Sequence, residues 1–352
     1  MRKGIPALLL TLSLLLCGCR LLPERIPPAG LTVHFIDVGQ ADCALLESGG
    51  EDMLIDGGNR EDGRLVVSYL EQQGVEELAY VVCTHAHEDH VGGLPSVLAV
   101  YPTHAVYAPT RTYASKVFDD FVYYADQQRL EITIPSPGDG WTLGETSVTV
   151  LGPVQSYADP NDTSIILRVE YGDTSFLFTG DMETSAENDM LDYWGSMSWE
   201  TDVLKVGHHG SDTSTGYRFL NEVSPDYAVI SVGKGNAYGH PHEQPLSRLN
   251  QAGVTILRTD ELGTIVARTD GKEVTFTWDN QSANPENAEP AQPVQFIGNV
   301  NSHKFHAPKC ANLDGKEPDH FRHLRGSDQR GLYALRKLPR VTDANTPLTQ
   351  AS

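Results

Sequence analysis

From Leu31 onward, apolar and polar positions alternate in short runs broken by turn residues, and other stretches carry apolar residues at helical spacing. "LTVHFIDVG" (31–39) alternates as a strand does, with Val33, Phe35 and Ile36 turned inward. "CALLES" (43–48) and "DMLIDGG" (52–58) continue as strands closed by glycine turns. "GRLVVSYLEQQGV" (63–75) sets Leu65, Val66, Tyr69 and Leu70 at helical spacing and ends at Gly74. A strand over 78–84, a helix over 94–102 stopped by Pro102, a strand over 104–109 and an amphipathic helix over 114–129 follow. The second half repeats the theme. Strands are expected over 146–153, 163–172 and 174–181, then an acidic helix over 183–194 and strand-like runs within 201–211 and 225–233. A helix over 244–252 and strands over 255–259, 263–269 and 273–278 complete the body. Two successive strand sets with interspersed helices predict a mixed α and β body with two sheets.

Outside 31–278 the pattern changes. "DNQSANPENAEPAQP" (279–293) is polar and rich in Pro and Asn, as a flexible linker is. At the other end, "MRKGIPALLLTLSLLLCGC" (1–19) has Arg2 and Lys3, an apolar run from Ile5 to Leu16, then small residues and Cys19. That is the layout of a secretory signal, too short for a standard membrane span. "LLCGC" resembles a bacterial lipobox, which implies cleavage before Cys19 and lipid attachment there; an uncleaved anchor helix is the alternative. Either way the body is expected on the outer face of the bacterial cytoplasmic membrane, held through the spacer 20–30. Cys43, Cys83 and Cys310 remain in the body, an odd number that argues against a disulfide framework. The two in apolar runs, Cys43 and Cys83, are expected as buried thiols.

The chain has 352 residues, 39% hydrophobic, enough for one large domain and a small one. Its formal net charge of −21 excludes nonspecific attraction of polyanions by the overall field. Action on nucleic acid would need a local basic strip or bound cations.

The chemistry concentrates in "THAHEDHVGG" (84–93). His85, His87, Glu88, Asp89 and His90 are costly to bury, yet the apolar run "LAYVVCT" (78–84) delivers them to one point. A divalent cation resolves the conflict, because it needs neutral imidazoles and ionised carboxylates together. His85 and His87 are two apart and face one side of an extended segment; Asp89 and His90 follow a bend and can reach a second ion. The same pattern, apolar strand then Gly with His or Asp, recurs. It brings Asp56 in "LIDGG", Asp181 in "FLFTGD", His208 and His209 in "VLKVGHHGS", and His240 and His242 in "NAYGHPH".

With these motifs the sequence resembles the metallo-β-lactamase superfamily, through "THAHEDH" (84–90), Asp56 and "TGD" (179–181). Within it, the ComEC-like, DNA-uptake subgroup is the nearest in pattern, through "FIDVGQADCALLE" (35–47), "NDTSIILRV" (161–169), "VLKVGHHGS" (203–211) and "GNAYGHPH" (235–242). The resemblance spans 31–278 and implies an α+β, four-layer αββα sandwich holding two divalent metal ions, zinc or manganese. It implies His85 and His87 at one ion, Asp89, His90 and His208 at the other, and Asp181 as the bridge. The superfamily's middle histidine has no counterpart, since none lies between His104 and His208. The first site is then open, or completed by Asp162 or water. After the linker, "FIGNVNSHKFHAPKC" (296–310) resembles the start of an Ada-like zinc domain. The match is lost after Leu313, which suggests a reading-frame disruption; residues 294–352 then read as a remnant and a disordered basic tail.

Two bridged cations suit hydrolysis, above all of phosphodiesters, where charge builds on attacking and leaving oxygens. Asp89 is read as orienting water as well as binding metal, and His240 as protonating the leaving oxygen or contacting phosphate. Ser164, Lys205, His209, Ser211 and Asn236 are read as phosphate contacts, and Asp56 as holding a ligand histidine by its second nitrogen. The expected activity is a phosphodiesterase or nuclease at the cell surface, with DNA as the candidate phosphodiester and no obligate protein partner. The alternatives are a phosphocholine-type esterase on surface polymers and a metal-stabilised binding module without turnover; a β-lactamase fits the motifs less well.

Overall fold

A computed structural model describes residues 29–280, together with the backbone of three short strands beyond them. The signal segment with Cys19, most of the spacer, nearly all of the linker and most of the tail lie outside the described residues.

Strands β1 (Leu31–Phe35), β2 (Ala44–Ser48) and β3 (Glu51–Ile55) form an antiparallel meander. Helix α1 (Gly63–Gln72) crosses over to β4 (Leu78–Val82), and α2 (Glu88–Val91) with α3 (Leu94–Val100) leads to β5 (Thr103–Tyr107). Helix α4 (Lys116–Gln127) returns to a short edge strand, β6 (Ile132–Thr133). A second sheet starts with β7 (Gly140–Leu143), β8 (Thr146–Gly152), β9 (Ile166–Tyr171) and β10 (Thr174–Phe178). It continues through α5 (Thr184–Trp194), β11 (Val203–Lys205), α6 (Tyr217–Val223), β12 (Tyr227–Ile230), α7 (Glu243–Ala252) and β13 (Thr255–Arg258). After α8 (Thr259–Leu262), the chain rejoins the first sheet as β14 (Ile265–Thr269) and β15 (Val274–Trp278). The strand orders are β15-β14-β1-β2-β3-β4-β5-β6 and β13-β12-β11-β10-β9-β8-β7.

Period-two alternation along each strand sorts side chains between two cores. From β3, Met53 and Ile55 enter the core between the sheets, while Leu54 enters a core shared with the helices. The inter-sheet core stacks Phe35 on Phe178, ring centroids 5.9 Å apart. On one outer face Leu54, Val81 and Val106 pack against Val66, Leu94, Val97, Phe118 and Phe121 of α1, α3 and α4. On the other, Leu177, Leu204 and Ala228 pack against Met190, Phe219 and Leu249 of α5, α6 and α7. Three apolar layers between four structural ones make the αββα sandwich, and each large side chain buried there stabilises it by about 1.5–3 kcal/mol.

Burial departs from the sequence reading at β1. All five of its residues are buried, so the intervening polar residues are enclosed too. His34 is satisfied there by Glu47 at 2.6 Å and the Tyr69 hydroxyl at 2.8 Å. Ile36 lies on the helix side, not with Val33 and Phe35 between the sheets. Strand β9 begins at Ile166 rather than 163, because Asn161–Thr163 forms a 3-10 turn. Cys43 and Cys83 are buried free thiols. Beyond the body, β16 (Phe296–Asn299), β17 (Lys304–His306) and β18 (Phe321–Leu324) form a small antiparallel sheet, so backbone pairing extends into the stretch read as a disordered tail. Among the described residues no helix is long and apolar enough to cross a membrane.

Candidate metal centre

Parallel pairing places the key loops. In the first sheet Ile55 pairs with Val82, and Val82 with Tyr107; in the second, Phe178 pairs with Lys205, and Lys205 with Val229. The loops leaving these matched strand ends carry Asp56, Thr84–His90, Asp181, His208–His209 and Ser231–His240, and they converge across the sandwich, as ligand loops do at the carboxyl ends of parallel strands. Glycines allow the close approach. A Cβ on Gly93 would lie 2.0 Å from the Gly57 carbonyl oxygen, and one on Gly180 would lie 2.8 Å from Ser164 Oγ.

Asp89, His90, Asp181 and His209 bring one ligand atom each within 4.8 Å of one another. His90 Nε2 and Asp181 Oδ1 stand 3.3 Å apart, buried, and neither makes a hydrogen bond of good geometry. Asp56 Oδ2 accepts from His90 Nδ1 at 2.8 Å, which turns Nε2 into the cluster. Thr84 clamps Asp56 through its backbone N–H and its hydroxyl, both at 2.7 Å. His209 is oriented in the same manner. Its Nδ1 donates to the Ser231 carbonyl at 3.0 Å, with the Asp42 carboxylate 3.2 Å away, and its Nε2 lies 3.3 Å from Asp89.

His85 and His87 sit beside this group. His85 Nε2 is 3.1 Å from His87 Nδ1 and 3.9 Å from Asp181 Oδ2, so Asp181 faces both halves of the cluster. The geometry fits a divalent-cation site: buried imidazole nitrogens and carboxylates aim at common points with too few partners among themselves.

The charges follow from the packing. Burial opposes ionisation of Asp181, yet His90, His209 and His85 around it hold its carboxyl well below the usual range. Burial likewise opposes protonation of His90, but Asp181, Asp56 and Asp89 together raise it well above the imidazole range. His209 is raised to about 10, since Asp181 and Asp42 outweigh its burial. Burial pushes His85 the other way, well down, reinforced by His90. The surrounding carboxylates thus bias His90 and His209 toward their protonated forms, and a bound metal would displace those protons.

Several residues singled out from the sequence are placed elsewhere than expected. His208 and His209 both carry positive φ, 50° and 53°, and this tight turn sends His209, not His208, into the compact group. His208 turns toward Glu183, at 3.4 Å, with Nε2 3.7 Å from Asp181. Lys205 is buried behind the ligands, its ammonium on Asp42 at 2.6 Å and on the Val206 carbonyl at 3.0 Å, so it does not reach the open side. Ser164 Oγ donates to the Asn161 carbonyl and accepts from the Asp181 N–H, which leaves it bracing the Asp181 turn. Ser211 Oγ is engaged with Thr213, and Asn236 pins its own loop. Asp162 does not join either half of the cluster; its carboxylate accepts from the Glu183 N–H and Ser185 Oγ at the start of α5.

His240 stands over the cluster, with its ring centroid 5.6 Å from that of His208. Burial and the neighbouring His209, His208 and His242 push it down to about 4, so it is neutral at pH 7. Gln40 Oε1 accepts from the Gly233 N–H, which fixes the amide so that its Nε2 donates to His240 Nδ1 at 3.3 Å. The proton of neutral His240 is then on Nε2. That makes His240 a hydrogen-bond donor better than a ready acid. Sequence reasoning passed over Gln40 and Asp42. Both lie in "VGQADC" straight after β1, where an amide and an acid that flank no ligand pattern give little signal.

The model of the metallo-β-lactamase superfamily matches residues 36–234. ComE operon protein 3 of Bacillus subtilis (strain 168) is 31% identical over 265 residues, covering 70% of this chain and 34% of that protein. Competence protein ComA of Neisseria gonorrhoeae is 32% identical over 245 residues, covering 69% of this chain and 33% of that protein. The chain thus spans about a third of the length of these curated relatives. Among solved structures, the metallo-β-lactamase fold protein YhfI of Bacillus subtilis aligns with a TM-score of 0.44 at 12% identity, over 70% of this chain and all of that one.

Proposed function

The chain belongs to the metallo-β-lactamase superfamily of hydrolases, and on that premise we propose that it is a metal-dependent phosphodiesterase or nuclease. The observation that carries the reading is the buried pair His90 Nε2 and Asp181 Oδ1, aimed at one another at 3.3 Å without a proper hydrogen bond. Asp89, His90, Asp181 and His209 would hold one divalent ion, and His85, His87 and Asp181 a second, with zinc or manganese compatible with the mixed nitrogen and oxygen donors. His209 takes the place first given to His208. Divalent cations held by these residues would supply Lewis acidity toward a water and a phosphoryl oxygen.

The protein's own groups do the rest. Asp56 and Ser231 fix the tautomers of His90 and His209 so that both present Nε2. Asp89, the most exposed carboxylate of the group, offers an acceptor for the attacking water. Neutral His240 offers an N–H to a phosphoryl oxygen. The name of the Neisseria gonorrhoeae relative, a competence protein, supports DNA as the polymer and uptake as the setting. The apolar N-terminal run from Ile5 to Leu16, followed by the lipobox-like "LLCGC" with Cys19, supports a lipid-anchored position outside the cytoplasm.

The test is hydrolysis by purified full chain, loaded with zinc or manganese, of single-stranded DNA, double-stranded DNA and a small phosphodiester. Phosphodiester cleavage is expected, with His87→Ala losing turnover while keeping its thermal unfolding transition. Hydrolysis of a β-lactam or thioester instead would overturn the reading. Unfolding of the chain on chelation, with no turnover of any substrate, would identify a structural metal.

A further inference from the structure

Three rings run outward from the metal cluster in near-parallel planes. His209, one of the cluster's four ligand candidates, lies under His240, with centroids 6.4 Å apart and planes 27° apart. His240 in turn lies under Tyr238, at 5.7 Å and 24°. The column ends in solvent, where Tyr238 is 69% exposed. Its loop is held firmly despite that exposure. The Asn236 side chain donates to the carbonyls of Gly233 and His240 and accepts from the backbone N–H groups of Tyr238 and His240. Gln40 ties His240 to the body as well. The backbone that carries this ring is thereby fixed two ring spacings out from His209, and the ring itself, backed by His240, keeps most of its surface uncovered.

We propose that Tyr238 is a stacking platform for an unpaired nucleobase next to the phosphodiester held at the cluster, which makes it a specificity-determining residue for single-stranded polynucleotide. The proposal rests on the phosphodiesterase reading of the metal centre. Stacking on an aromatic ring suits every base, because each has a π-face. In a duplex those faces are already covered by neighbouring pairs, so the platform favours unpaired strands. The acidity of the chain, −21 overall, points the same way. No general basic field gathers the polymer, and affinity at the rim has to come from contacts that do not depend on net charge. A quaternary ammonium headgroup fits less well. It is recognised by several rings arranged as a cage, whereas the second ring here lies behind Tyr238.

The experiment measures anisotropy of a short labelled oligodeoxynucleotide and of an abasic backbone of equal length, bound to metal-loaded full chain. Tyr238→Ala is expected to weaken binding of the base-bearing oligomer about 5- to 150-fold, the range given by 1–3 kcal/mol of stacking. Binding of the abasic oligomer should be unchanged, and Tyr238→Phe, which keeps the ring, should behave as the parent. Equal losses for both oligomers, no loss for either, or no binding by the parent chain would overturn the platform. So would a loss confined to a phosphocholine diester used as competitor. Hydrolysis is read in parallel. Base-dependent loss of binding with no phosphodiester cleaved leaves the platform standing and removes the phosphodiesterase; cleavage with Tyr238→Ala indifferent does the reverse.

Discussion

Asp181→Asn is expected to lower kcat by about 10³-fold or more, because it removes several kcal/mol of charge stabilisation from the centre of the site. Asp181 faces four imidazoles: His90 at 3.3 Å, His208 and His209 each at 3.7 Å, and His85 at 3.9 Å. An amide of the same shape keeps the packing but not the negative charge that both halves of the cluster share. Asp56→Asn is the informative contrast. The Asp56 carboxylate accepts from the Thr84 backbone N–H and hydroxyl and from His90 Nδ1, the nitrogen turned away from Asp181, so it orients a candidate ligand from behind. A drop of about 10- to 100-fold is expected there. Steady-state rates with bound metal quantified in each variant decide the point; equal effects of the two substitutions would show that Asp181 has no special place.

Lys205→Met is expected to destabilise the fold by about 3–5 kcal/mol, the usual consequence of breaking a buried ion pair from one side. Lys205 and Asp42 are both enclosed, their charged atoms 2.6 Å apart. Lys205 and the nearby His209 hold the Asp42 carboxyl down to about 2 against a burial that would raise it. Without the ammonium that carboxylate is left in a low-dielectric pocket facing the imidazoles of His209, at 3.2 Å, and His90, at 4.0 Å. The loss is large against the roughly 5–15 kcal/mol that separates folded from unfolded domains. Lys205→Met combined with Asp42→Asn should regain most of it, since removing both charges of a buried pair is often close to neutral. Urea unfolding of the metal-free single and double variants measures this. A double variant no more stable than Lys205→Met would mean that the pair is not what holds this region together.

The body's strands and long helices were legible because alternation and helical spacing follow from one covered face, and the four layers supply such faces. The short edge strands β6 and β7 were not: with two and four residues they offer too few positions to establish a rhythm. Nor was α6, a seven-residue helix whose Phe219, Leu220 and Val223 are too few to set a period. In the site, "THAHEDH", Asp56 and Asp181 stood out because polar ligands at the end of an apolar strand are conspicuous, and the fold does bring them together. The choice between His208 and His209 was not readable. The two are adjacent and alike, and a left-handed turn decides which one enters the cluster. Lys205 was read as a phosphate contact because it shares the "VLKVGHHGS" motif with the candidate ligands; its partner, Asp42, is 163 residues away. Gln40 was hidden for the same reason, as its bonds reach Gly233 and His240 near the other end of the domain. Pairings across the sandwich leave no periodic trace in either strand.

The most direct measurement is an anomalous difference map from crystals of the chain soaked with zinc or manganese. The account predicts a peak ligated by Asp89, His90, Asp181 and His209, with a second beside His85 and His87 that shares Asp181. Peaks on other residues only, or a map without one at His90 and Asp181, would contradict it.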